Sequence, residues 1–188
     1  MSEAFFPPLT DDLERVLLDA TTIECRVDEL ARQVSADSAQ ADQLLVVGVL
    51  KGAFIFMADL CRRLTVAHRV DFIALSSYAQ SAVTSGAVRM VMDLKINSKG
   101  RHVLVVEDIV DSGHTLNYLL RNLATRHPES LRSCALLSKP ERRQVSVDVD
   151  YVGFEIPDVW VVGYGLDYAD TYRTLPYIAE LRPRVYGK

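Results

Sequence analysis

The densest group of reactive side chains in this sequence lies in VLVVEDIVDSGHT, residues 103–115. Glu107 and Asp108 stand side by side after an apolar stretch. Adjacent carboxylates at a strand end suit the vicinal hydroxyls of a ribose and a hard cation such as magnesium, whose preferred ligands are oxygens. Asp111-Ser112-Gly113-His114-Thr115 then directly precedes a helical pattern. A turn placed there exposes successive backbone N–H groups at a helix N-terminus, Gly113 lets an anion approach the backbone, and Ser112 and Thr115 add hydroxyl donors. This combination binds a phosphate, with its sugar alongside. Taken singly, each residue also has an ordinary structural explanation: Asp111 or Ser112 as a helix cap, and the two acids as surface groups at a strand end.

Such groups need elements to carry them. Residues 103–106 are continuously apolar and predict a buried strand, and residues 115–126 place Leu116, Leu119, Leu120 and Leu123 at helical spacing. Arg126 and His127 favour the C-terminal end of that helix, and Pro128 stops it. The same unit occurs earlier: the apolar run 44–50 predicts a strand, and Phe54, Met57, Ala58, Cys61 and Leu64 predict a helix within 52–64. Further strands are predicted at 70–77, 133–137 and 159–163. Thr21-Thr22-Ile23-Glu24 resembles a capping box opening a helix over 22–35, and 13–18 suits either a strand or a helix start. Apolar strands alternating with helices predict an α/β fold, a mostly parallel sheet with helices on both faces, and ligands beyond the C-terminal strand ends. Residues 76–87, SSYAQSAVTSGA, are small, polar and aperiodic. They suit a mobile loop or a simple hairpin connection.

At 188 residues the chain has room for one domain, 1–188, with a substantial core. A formal charge of −4 argues against a broad nucleic-acid footprint. No apolar run approaches the roughly 20 residues that span a bilayer, and the first residues lack the basic-then-apolar order of a signal peptide, so no membrane partner and a cytoplasmic location are expected. Cys25, Cys61 and Cys134 are odd in number and far apart, which suggests reduced core residues rather than disulfides or a zinc cluster.

As an ordered string, residues 103–115 resemble the phosphoribosyl pyrophosphate signature of type I phosphoribosyltransferases: an apolar strand, Glu-Asp, two aliphatic residues, then Asp-Ser/Thr-Gly-x-Thr. Every position matches, with His114 at the variable one. Over about residues 44–182 the chain is similar to one branch, the hypoxanthine-guanine phosphoribosyltransferases. That resemblance implies a C-terminal base-binding hood at about 139–188, a magnesium requirement, purine base and phosphoribosyl pyrophosphate as ligands, and a homo-oligomer, dimer or tetramer. It makes Leu50-Lys51-Gly52 the pyrophosphate loop, with a Leu-Lys peptide that is often cis, and Ser77 and Tyr78 the start of a closing catalytic loop. Trp160 would stack on the purine and the Val161 backbone would meet its edge. Lys139 would donate to the 6-oxo group, Arg173 would pair with pyrophosphate, and Glu107, Asp108 and Asp167 would serve magnesium. Ser112, Gly113, His114 and Thr115 would hold the phosphate, and Asp111, beside N7 of the purine, would be the general base. A preference for xanthine, and a non-catalytic sensor of phosphoribosyl pyrophosphate that binds RNA or DNA, are the alternatives this sequence leaves open.

Overall fold

This computed structural model describes residues 9–42, 44–77 and 88–187. The apolar run Leu44–Leu50 forms β2, which lies parallel to β3 (His68–Ser77) on one side and to β5 (His102–Val110) on the other. β6 (Ser130–Ser138) and β7 (Tyr151–Glu155) continue the parallel sheet beyond β5, while β4 (Val88–Met92) pairs antiparallel with β3 at the opposite edge. The order is β4-β3-β2-β5-β6-β7.

Both faces are covered, which explains why the central strands are apolar without alternation. Val46, Leu104, Val106 and Leu136 point to the side of α1 (Ala20–Asp37) and α2 (Phe54–Arg63), packing with Ile23, Val27, Leu30, Phe56 and Leu60. Leu45, Val47, Val105 and Ala135 point to the other side, against Leu116, Leu119 and Leu123 of α3 (His114–Ala124). Each fully buried leucine or isoleucine contributes about 1.5–3 kcal/mol relative to exposure, so these two layers hold the sheet in place under the functional loops.

A second, antiparallel sheet is built from β1 (Leu13–Leu18), β9 (Ile178–Leu181) and β8 (Val161–Val162), in the order β1-β9-β8. The hood therefore draws on the N-terminal segment as well as the C-terminal one: Leu13 packs with Val162, Leu175 and Leu181. The strand option for 13–18 holds.

Several local expectations shift. α1 starts at Ala20, capped by the Asp19 carboxylate, which accepts from Thr22 N at 2.8 Å; Glu24 takes no part in a capping box and pairs with Arg63 at 3.0 Å. α3 ends at Ala124, two residues short of 126, and Arg126 turns back to Asp93 at 2.8 Å. Of the strand expected over 159–163 only Val161–Val162 is regular. β4, β7 and β9 were not expected. Cys134 is buried and Cys61 half-buried, but Cys25 is exposed on α1 and is not a core residue. No described helix is long and apolar enough to cross a membrane.

Candidate active site

β5 runs four residues further than its apolar core 103–106 suggests, to Val110, so Glu107 and Asp108 lie within the strand rather than beyond its end. The sheet continues around them: Glu107 is in register with Ala135 of β6. Glu107 is buried, and that burial, followed by the Asp108 charge, pushes its carboxyl well above the usual range. Burial also pushes Asp108 up, to about 6; backbone N–H donation from Ile109 at 2.8 Å and the Arg173 charge oppose the rise, and the Asp167 charge adds to it. Two adjacent carboxyls, one buried and one half-buried at the wall of the cleft, are costly unless a cation or hydroxyl donors complete them.

The chain then turns into α3 through Gly113, whose φ of 88° is a left-handed conformation that favours glycine. A side chain there would also meet the Val145 carbonyl oxygen at 2.9 Å. No side chain caps α3, so its first N–H groups remain directed at the turn. Glu107, Asp108, Asp111, Ser112, Gly113 and Thr115 line one cleft of about 300 Å³, floored by Val49, Leu50 and Gly52 from the end of β2. His114 does not line it; its Nε2 lies 3.2 Å from Gln144 Oε1.

The turn after β2 holds the cis Leu50–Lys51 peptide and brings Gly52 against Asp108: a Cβ on Gly52 would fall 1.6 Å from Asp108 Oδ2. On its other side Gly165, at φ 106°, leaves so little room that a Cβ would fall 2.0 Å from the Gly52 carbonyl oxygen. These contacts dock the 163–173 loop onto the cleft. Lys51 Nζ donates to both Asp170 oxygens at 2.9 Å, and Arg173 bridges Asp167 and Asp170 at 2.8 Å each while donating to the Gly165 carbonyl at 2.9 Å. The hydrogen bonds from Arg173 and Lys51 hold the Asp170 carboxyl below its usual range. Lys51, Asp167 and Arg173 are thus brought together around Asp170. Among the described residues no three His, Cys, Asp or Glu side chains converge as metal ligands, so Glu107, Asp108 and Asp167 do not form a preassembled cage.

Lys139 follows β6. Its N–H donates to the Val110 carbonyl at 3.0 Å, which fixes it beside the cleft, and its side chain is buried, with Nζ donating to the Val159 carbonyl at 2.8 Å. A strand-end lysine is ordinarily solvated; this one is not. Trp160 is 48% exposed, flanked by Tyr168 at 5.9 Å edge-on and Tyr186 at 5.4 Å, so the indole is oriented yet keeps an open surface. Val161 is buried in β8. Ser77 closes β3, its backbone paired with Val88; Tyr78 and the segment 78–87 lie outside the described residues.

Asp111 has surroundings that sequence reasoning did not foresee. Its carbonyl accepts from Arg143 at 2.9 Å, and Arg142 Nε approaches its Oδ1 to 2.8 Å. That oxygen is buried, and Arg142 is the cation that meets it. Arg142, Arg143, Asp170, Gly165 and Tyr186 were all missed. The Arg-Arg pair just after Lys139 and the Asp-x-x-Arg spacing of 170–173 were the available signals.

A parallel sheet that sends carboxylates and a phosphate-cradling turn into one cleft, under a hood with a buried lysine and an open indole, defines a type I phosphoribosyltransferase fold. The sequence pattern of the phosphoribosyl transferase domain matches residues 16–169. Among relatives, the chain is 51% identical over 180 residues to the hypoxanthine-guanine phosphoribosyltransferase of Mycobacterium avium, covering 93% of this chain and 89% of that one. It is 46% identical over 167 residues to the hypoxanthine phosphoribosyltransferase of Escherichia coli, covering 88% and 94%. A crystal structure of a hypoxanthine phosphoribosyltransferase from Staphylococcus aureus superposes with a TM-score of 0.93 at 39% identity, covering 98% of this chain and all of the other. The chain belongs to the phosphoribosyltransferase family, among its hypoxanthine-guanine members. Enzymes of this family work with a metal ion.

Proposed function

We propose that this protein transfers the 5-phosphoribosyl group of phosphoribosyl pyrophosphate to hypoxanthine, and also to guanine, releasing pyrophosphate and the nucleoside monophosphate. The observation that carries this reading is the placement of Asp111: its carboxylate lines the cleft between a phosphate-cradling turn and a buried lysine, where a purine N–H can reach it.

The N–H groups of 112–115 with the Ser112 and Thr115 hydroxyls take the 5-phosphate, and Glu107 and Asp108 take the ribose hydroxyls. Lys51 and Arg173 exchange their hold on Asp170 for pyrophosphate oxygens, with the bidentate guanidinium suited to that geometry. Trp160 offers a stacking surface for the purine, and the Val161 backbone meets its edge. Lys139 has donors only: it pairs with a 6-oxo group and meets a 6-amino group unfavourably. Asp111 accepts the purine N7 proton as the base attacks the anomeric carbon, and returns it in the reverse reaction. The resemblance assigns Ser77 and Tyr78 to the pyrophosphate, where excluding water would protect a centre with oxocarbenium character.

The all-oxygen donor set of Asp108, Glu107 and Asp167 fits magnesium, which keeps waters and substrate phosphates in its shell and so needs no three-carboxylate cage. When bound it neutralises charge on the departing pyrophosphate. Incubation with donor, magnesium and hypoxanthine, followed by chromatographic identification of the nucleotide, tests the proposal; no product from either hypoxanthine or guanine would end it.

A further inference from the structure

We propose that Arg142 is a positioning residue for the reaction: it holds the Asp111 carboxylate by charge and ties it, through Asp158, to Lys139. The two groups that read N7 and the 6-oxo group, neighbours on one edge of the purine, are then set by one turn. This inference rests on the proton-transfer role given above to Asp111.

Lys139 is followed directly by a single 3-10 turn, Pro140–Arg142, closed by Arg142 N donating to Lys139 O at 3.2 Å and Arg143 N to Pro140 O at 3.1 Å. Its two arginines divide their work. Arg143 donates to the Asp111 carbonyl at 2.9 Å and to Ser138 Oγ at 3.0 Å, which fixes the backbone of the base. Arg142 reaches the carboxylate, with Nε 2.8 Å from Asp111 Oδ1, and places Nη1 3.2 Å from Asp158 Oδ1. Asp158 Oδ1 in turn lies 3.7 Å from Lys139 Nζ. Four charges therefore alternate in sign from the base to the 6-oxo reader, Asp111, Arg142, Asp158, Lys139.

The choice of arginine matters chemically. A guanidinium stays protonated throughout, so it stabilises the Asp111 carboxylate without competing for the proton that Asp111 must accept. The contact is to Oδ1, and a carboxylate with a second oxygen and further lone pairs can still accept the purine N–H. Arg142 is also the partner that stands between Asp158 and Asp111. Without it Asp158 faces Lys139 alone, and the carboxylate of Asp111 loses its one cationic contact among the described residues. Positioning of a base to within a fraction of an ångström controls proton transfer far more than it controls donor binding.

The test is single-turnover and steady-state kinetics with hypoxanthine, using Arg142→Gln, Arg142→Lys and Asp158→Asn, with Arg142→Gln repeated in an Asp111→Asn background. Arg142→Gln should lower kcat on the order of tenfold, with KM for phosphoribosyl pyrophosphate held within about twofold. Arg142→Lys should recover part of the loss, and Asp158→Asn should lower kcat by a smaller factor. In the Asp111→Asn background the Arg142→Gln effect should disappear, because the group it positions is gone. An unchanged kcat in Arg142→Gln, or the same fold loss in both backgrounds, overturns the proposal. Full turnover in Asp111→Asn alone would instead overturn the role of Asp111, so the two failures are distinguishable.

Discussion

Replacement of Gly52 by alanine tests how closely the pyrophosphate turn is fitted to the strand acids. The new Cβ would fall 1.6 Å from Asp108 Oδ2, 2.4 Å from its Cγ and 3.0 Å from Oδ1, so the whole carboxylate must swing away. Asp108 is short and held in β5, and its Oδ1 accepts from Ile109 N at 2.8 Å. Rotation loses that hydrogen bond, worth about 1.5–3 kcal/mol for a charged acceptor. It also forces a poorer rotamer at about 0.5–1.5 kcal/mol. The lower bound, about 2 kcal/mol, corresponds to roughly 30-fold in binding if Asp108 must return to its place to meet ribose or metal. Steady-state kinetics with each substrate varied should show KM for phosphoribosyl pyrophosphate raised about 30-fold or more, with KM for hypoxanthine changed little, and circular dichroism should show the variant folded. A folded Gly52→Ala protein with unchanged KM for the donor would refute the reasoning that Gly52 exists to admit Asp108.

Asp111→Asn should lower turnover about 100-fold or more while donor affinity, measured by calorimetry, stays within a few fold, since proton transfer is what the carboxylate supplies. Lys139→Gln should reduce discrimination between hypoxanthine and adenine about tenfold or more, read as the ratio of kcat/KM, because an amide offers both donor and acceptor. Burial raises Asp108 to about 6 in the folded protein from an ordinary value of 3.8. Between those values the native state keeps a proton that the unfolded chain has released, so this group's contribution to stability falls as pH rises from about 4 to 6. Urea unfolding of the metal-free protein should show Asp108→Asn gaining on the order of 2–3 kcal/mol over the unsubstituted protein between pH 4 and 7. A difference independent of pH would refute the burial of that carboxyl.

The layers of the fold were legible because fully buried parallel strands and amphipathic helices write their periods into the sequence: 44–50 and 103–106 lack polar residues, and α3 repeats leucine at helical spacing. β4, β7 and β9 escaped for a physical reason. They are short or lie at sheet edges, where one polar-facing side and few residues leave no distinct period, and Val88-Arg89-Met90 or Tyr151-Val152-Gly153 could equally be loop. β1 could be matched to the hood only through its pairing with β9, some 165 residues away in the contact Arg15–Glu180. At the site, residue types in an ordered string marked the phosphate turn and the acids. What they could not convey was that β5 carries Glu107 and Asp108 inside its ladder, or that Lys139 is buried. Both follow from neighbouring strands. Arg142 and Asp170 are long-range partners of Asp111 and Lys51, and a pairing across 31 or 119 positions has no local signature.

The most direct test of the central claim is a panel of initial rates with phosphoribosyl pyrophosphate, magnesium and each of hypoxanthine, guanine, xanthine and adenine. Turnover with hypoxanthine and guanine, and adenine lower by orders of magnitude, is the predicted pattern. A preference for adenine, or no nucleotide formed from either 6-oxopurine, would contradict the assignment of Lys139 to the 6-oxo group and Asp111 to N7.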